Sequence, residues 1–154
     1  MYLYSLENTA TRLPVLVKEK FISGRNTIFE TPAAIVDMLN ANFNLKSKAE
    51  EYVYLICADT KLHITGVFEV SHGIANSSFA NPREIFIRSL LCGASNIILV
   101  HNHPSGDCTP SSSDLYNYNA IKKAGGIVGI SLVDSIIVGD DTFYSFNEDE
   151  RKGD

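Results

Sequence analysis

Apolar residues along this chain fall into short runs of two periods, and each change of period marks an element. The first 30 residues carry little pattern. One apolar run, Val15-Leu16-Val17, predicts a strand, with Lys18 to Lys20 leading away from it and Gly24-Arg25-Asn26 as a turn. Thr31-Pro32 then reads as a helix start, threonine as N-cap and proline in the first turn. Ile35, Met38, Leu39 and Phe43 keep a helical spacing, and the helix is expected to end near Asn42. After a short polar connection, Lys46-Ser47-Lys48, the period changes. Glu50 and Glu51 open a strand over Tyr52 to Cys57. Ala58 to Lys61 supplies a turn, and Leu62 to Val70 a second strand, so the two form a hairpin.

Gly73 to Asn81 reads as a loop. Asn81-Pro82-Arg83-Glu84 starts a second helix, with Glu84 where a capping-box carboxylate stands. Its apolar face would be Ile85, Phe86, Ser89, Leu90 and Cys92, with Gly93 as the stop. Asn96 to Val100 is almost wholly apolar, the pattern of a central strand buried on both faces. Ser111 to Ser113 supply the N-cap of a third helix with an apolar stripe of Leu115, Tyr118, Ile121 and Ala124, ended by Gly125-Gly126. Ile127 to Val133, Ser135 to Val138 and Phe143 to Phe146 read as strands, and the charged tail NEDERKGD as a frayed end. The pattern predicts a single α/β domain, a mixed β-sheet flanked by three helices. Residues 1–45, with a strand and a helix, form an N-terminal segment packed on a main domain of residues 46–154.

Composition changes this picture little. With 154 residues, 45% hydrophobic and 20% charged, the chain has room for one proper core. A formal net charge of -5 gives no electrostatic reason to expect nucleic-acid binding. No apolar run approaches the ~20 residues of a membrane span, and the N-terminus lacks the pattern of a signal peptide. Cys57, Cys92 and Cys108 are odd in number and widely spaced, which suits a reducing cytoplasm better than a disulfide framework.

The chemistry concentrates in His101 to Asp114, HNHPSGDCTPSSSD. Alternate residues of an extended chain face the same way, so His101 and His103 can converge on one point beyond the apolar strand. Pro104, Gly106 and Pro110 restrict the loop that follows. Asp114 falls in the first turn of the third helix, where the dipole favours a carboxylate, and can add an oxygen ligand if the loop folds back. Two histidines and a carboxylate form a ligand set of catalytic zinc sites. Asp114 also reads simply as a capping-turn residue, and His63 and His72 as ordinary surface or hydrogen-bonded histidines.

The string His101-x-His103-Pro104, with Ser111-x-x-Asp114 after it, resembles the JAMM (MPN-plus) metalloprotease family, whose fold is cytidine-deaminase-like. With Gly106 and the preceding Pro82-Arg83-Glu84-Ile85-Phe86, it is most similar to the RadC branch, over roughly Glu50 to Phe146. The N-terminal 45 residues do not resemble the helix-hairpin-helix portion of longer RadC-like chains. The resemblance implies one zinc held by His101, His103 and Asp114, with water completing the site. It implies Ser111 as a group that holds the reacting oxyanion or the water, and Glu51 as general acid/base. Glu50 is adjacent, and the two face opposite sides of a strand, so only one can serve. One departure stands out: Ser135 follows Asp134 where many RadC-like chains have histidine. Cys108 reads as a bystander beside a complete ligand set.

Three classes of function follow as expectations. The first is a zinc-dependent hydrolase cutting a peptide or isopeptide bond of a protein substrate. The second, tied to the RadC name, is a DNA-associated protein, which the acidic charge does not support. The third is a metal-binding interaction module without turnover. A membrane partner is not expected.

Overall fold

A computed structural model describes residues 1–23, 28–73 and 81–153. The turn expected at Gly24-Arg25-Asn26 and most of the loop between Gly73 and Asn81 lie outside the described residues. The elements, in chain order, are β1 (Tyr2–Asn8), β2 (Pro14–Phe21), α1 (Pro32–Phe43), a 3-10 turn (Leu45–Ser47), β3 (Glu51–Ala58), β4 (Ile64–Gly73), α2 (Pro82–Leu91), β5 (Asn96–Asn102), α3 (Ser112–Val128), β6 (Ser131–Val138), β7 (Phe143–Ser145) and α4 (Phe146–Gly153). The strands make one seven-stranded mixed sheet in the order β2-β1-β4-β3-β5-β6-β7. β1 with β4 and β5 with β6 are parallel, and the remaining neighbours are antiparallel.

The alternation of β3 and β5 explains the layers. Tyr54, Ile56, Ile98 and Val100 point to one side, where α1 buries Ile35, Val36, Met38 and Leu39 against them. Val53, Leu55, Cys57, Ile97 and Leu99 point to the other, where α2 and α3 bring Ile85, Phe86 and Ile121. Both faces of β5 are covered, as its unbroken apolar sequence requires. The β3–β4 hairpin forms as expected. Its turn is held by Asp59, whose Oδ1 accepts the backbone N–H groups of Lys61 at 2.8 Å and His63 at 2.9 Å.

Several expectations need correction. Tyr2–Asn8 is a strand that the sequence pattern did not announce, and β2 carries on through Lys18 to Lys20. Those lysines lie on an exposed sheet edge, where charge is no obstacle to pairing. Leu90 and Leu115 are not on buried helix faces. They are 59% and 48% exposed, while Ser89 and Tyr118 take the buried positions beside them. Glu84 is no capping-box carboxylate. Asn81 caps α2 alone through the N–H of Arg83, and Glu84 pairs with Arg83 at 2.7 Å and Arg88 at 3.1 Å.

The largest correction concerns α3. It runs through Gly125-Gly126 to Val128, so the expected strands over Ile127 to Val133 and Ser135 to Val138 become the single strand β6. Gly125 is a place of close approach, because a side chain there would run into the Ile130 carbonyl. The stop is Gly129, with φ of 76° and its N–H donating to the Gly125 carbonyl. The charged tail folds as α4, anchored by Phe146, which stacks on Tyr118 at 4.4 Å between ring centroids. Glu150 accepts from Tyr118 Oη at 2.9 Å and from Lys122 at 2.8 Å.

Candidate metal centre

β5 and β6 are parallel and joined by α3, so the C-terminal end of β5 lies beside the N-terminus of that helix. Such crossovers gather ligands at the ends of their strands. β5 ends at Asn102, and His103 continues along β6, its N–H donating to the Val138 carbonyl at 2.9 Å. Pro104 to Pro110 then return the chain to α3. Gly106, with φ of +81°, sits where a side chain would strike the Asp140 carboxylate. Its N–H donates to the His103 carbonyl at 2.9 Å, and its own carbonyl accepts from Asp140 N–H at 3.1 Å. Gly139 has no room for a side chain either, because the Gly106 carbonyl is in the way. The His103 loop is thus fixed against the β6–β7 turn.

Ser111 is the N-cap of α3 and forms a reciprocal capping box with Asp114. The Asp114 N–H donates to Ser111 Oγ at 3.2 Å, while Ser111 N–H and Oγ donate to Asp114 Oδ2 at 2.7 Å and 2.5 Å. Asp114 therefore caps its helix and still presents carboxylate oxygen to the histidines. Oδ1 lies 3.3 Å from His101 Nε2, Oδ2 lies 3.5 Å from His103 Nε2, and the two Nε2 atoms are 3.1 Å apart. His103 Nδ1 lies 2.7 Å from the Asp107 carbonyl. A carbonyl accepts only, so Nδ1 carries the proton and, in the neutral ring, Nε2 keeps its lone pair.

The electrostatics follow from this crowding. Burial pushes His101 down to about 4, against the pull of Asp114. The hydrogen bond with Asp114 raises His103, with burial opposing. Burial also works against the Asp114 carboxylate, but hydrogen bonds from His101, His103 and Ser111 outweigh it and hold the group far below the ordinary carboxylate range. Three electron-rich atoms this close repel unless a cation stands among them, a proton or a metal ion. His101, His103 and Asp114 each offer one ligand atom, and these atoms all lie within 4.8 Å of one another. The group can hold a metal ion.

The other residues singled out by sequence fall in graded positions. Glu51 is the first residue of β3, on the sheet face of Val53, whose register partner is His101. Burial raises its carboxyl. The charge of His103 lowers it and that of Asp114 raises it, so the cluster's charges act on Glu51. Glu50 precedes the strand. Ser135, buried, pairs with Leu99 in the register, one alternate position short of the Ile137–His101 pair. His63 and His72 pair with Asp59 at 3.0 Å and Glu69 at 2.9 Å, and neither belongs to the cluster. Sequence reasoning passed over Asp107, which orients His103 by its backbone carbonyl, a role that no side-chain pattern reveals.

A model of the RadC-like JAB domain family matches residues 29–152. Among curated proteins, the chain is 38% identical to a UPF0758 protein of Thermotoga maritima over 122 residues, 75% of this chain and 55% of that one. It is likewise 38% identical to a UPF0758 protein of Pelobacter propionicus over 120 residues, 78% of this chain and 52% of the relative. A Clostridium tetani protein of the same name is 42% identical over 99 residues, 64% of this chain and 43% of its own length. The chain spans about half the length of the curated relatives it matches. No helix among the described residues is long and apolar enough to cross a membrane. With the match running through both strands and helices that carry the His/His/Asp cluster, the chain belongs to the RadC-like JAB domain family.

Proposed function

We propose that this chain is a zinc-dependent hydrolase of the JAMM type, acting on a peptide or isopeptide bond of a protein substrate. The observation that carries the reading is the convergence of His101 Nε2, His103 Nε2 and the Asp114 carboxylate within 3.1–3.5 Å of one another, at the end of β5. Two imidazoles and one carboxylate suit zinc, and three protein ligands leave a position open. Zinc held there supplies a Lewis acid that makes water nucleophilic near neutral pH. Glu51 is the base: it takes the water's proton and hands it to the leaving amine. Burial favours its protonated form, which suits a group that must also act as an acid. Ser111 Oγ donates to Asp114 in the resting arrangement, and its role in this reading is to turn its hydroxyl to the oxyanion of the tetrahedral intermediate. The cytoplasm is the compartment we propose, since Cys57, Cys92 and Cys108 are all free thiols.

The test begins with metal content. About one zinc per chain in the wild type, lost in His103→Ala, is the expected result; a protein that takes up no zinc at neutral pH sinks the reading. With zinc established, peptide and isopeptide panels are screened against Glu51→Gln. The expectation is turnover that falls by at least ~100-fold in that variant.

A further inference from the structure

We infer that Asn102 is a positioning residue, whose side-chain amide stands in for a backbone peptide between β5 and β3 and so fixes Glu51 toward the metal-binding cluster. The inference rests on the zinc-hydrolase reading and deepens it. The antiparallel ladder between β3 and β5 has its last backbone pair at Val53 and His101. Beyond that pair β5 follows β6: Asn102 pairs with Val138, and His103 N–H donates to the Val138 carbonyl at 2.9 Å. This departure delivers the His103 ring to His101 and Asp114. It also opens a gap beside the first residues of β3, which remain paired with β4 on their other side through Glu51–Gly73 and Tyr52–His72.

The Asn102 side chain fills that gap. It is 2% exposed. Its Oδ1 accepts the Tyr52 N–H at 2.8 Å, and its Nδ2 donates to the carbonyls of Glu50 at 3.0 Å and Lys48 at 3.5 Å. The acceptor and donor thus bind the peptide groups on either side of Glu51. A carboxylate at this position lacks the donors, and a buried apolar side chain leaves both backbone groups unsatisfied. Because strand neighbours face opposite ways, a one-residue slip here would exchange Glu51 for Glu50 or Tyr52. The residue between the two histidine ligands thereby selects which side chain of β3 faces them.

The test is a double-mutant cycle read by zinc affinity, with zinc alone as the probe in competition with a chromophoric chelator. Glu51→Gln and Asn102→Ala are each expected to weaken zinc binding by about tenfold. The double variant is expected to bind no more weakly than Glu51→Gln alone. Losses that add, no effect of Asn102→Ala in a folded protein, or no effect of Glu51→Gln would each overturn the inference. Asn102→Gln, which keeps the amide but lengthens its arm, serves if the alanine variant does not fold. In the wild type, amide exchange adds a check independent of any variant. The Tyr52 N–H is expected to exchange as slowly as that of Tyr54, and exchange at a loop rate would show that the clamp does not exist. A wild type that binds no zinc sinks the hydrolase reading and this inference together, whereas zinc binding with additive losses sinks the inference alone.

Discussion

At the residue scale, Asp114 has two tasks, and each leaves a measurable trace. It closes the capping box of α3 with Ser111 and sets its oxygens against both histidines. Ser111→Ala removes the cap and the hydroxyl that donates to Asp114. The expected loss is about 1 kcal/mol by urea denaturation, with weaker zinc binding, and Ser111→Thr is expected to restore most of both. The buried histidine sets a pH dependence. His101 has a folded-state pKa lowered to about 4, so the metal-free native chain holds fewer protons than the unfolded chain between there and the ordinary ~6.5. Stability of the metal-free protein is therefore expected to fall as pH falls through that window. Below it, the depressed Asp114 continues the loss. His103 has the opposite sign: its raised pKa contributes fully below the ordinary value, and that contribution is lost as pH climbs through the folded one. Denaturation at pH 7 and pH 4.5 checks the first point, and a His101→Asn variant with an unchanged slope would refute it.

At the scale of elements, local chemistry decided what could be read. The His101 to Asp114 string was legible because ligand spacing, loop prolines and the capping serine all lie within fourteen residues of sequence. The hairpin of β3 and β4 and the start of each long helix were legible for the same reason, since alternation and N-caps are local signals. The end of α3 was not. Gly125 looks like a stop, but its lack of a side chain answers a contact with Ile130 made only in the folded chain. Likewise α4 is a charged tail until Phe146 finds Tyr118 on another helix. Gly106 combines both kinds of constraint, a positive φ and a close neighbour in Asp140. Gly106→Ala is expected to cost more than ~1 kcal/mol and to lower zinc affinity by displacing the His103 loop. Adding Asp140→Ala should recover part of the loss by removing the steric clash while leaving the backbone strain. Denaturation and zinc titration of the three proteins would measure both terms.

At the scale of the whole molecule, the sheet is assembled from distant pieces. β1 lies between β2 and β4, with β2 following it in sequence and its contact on β4 made through Leu3 and Val67. Tyr2–Asn8 is hard to recognise because none of its residues is fully buried, so its apolar alternation is weak, although it pairs along its whole length with β2. The cluster, by contrast, is built from the end of β5 and the start of α3, on the other side of β4. Removing residues 1–21 is therefore expected to expose the edge of β4 and promote self-association, while leaving one zinc per chain. Light scattering and metal content on the same sample would separate the two effects, and loss of zinc would show that the N-terminal hairpin reaches the site.

The carboxylate shared between the helix cap and the His/His/Asp cluster has a consequence for the protein in a cell. Under the zinc reading, the ion would share Asp114 with the capping box of α3, and α3 in turn carries Tyr118 and Lys122, which hold α4 through Phe146 and Glu150. A chain starved of zinc would then loosen first where α3 holds α4, a place for degradative enzymes to act. Metal scarcity would shorten the lifetime of the protein as well as silence it, so its abundance would follow the zinc supply without any dedicated regulator.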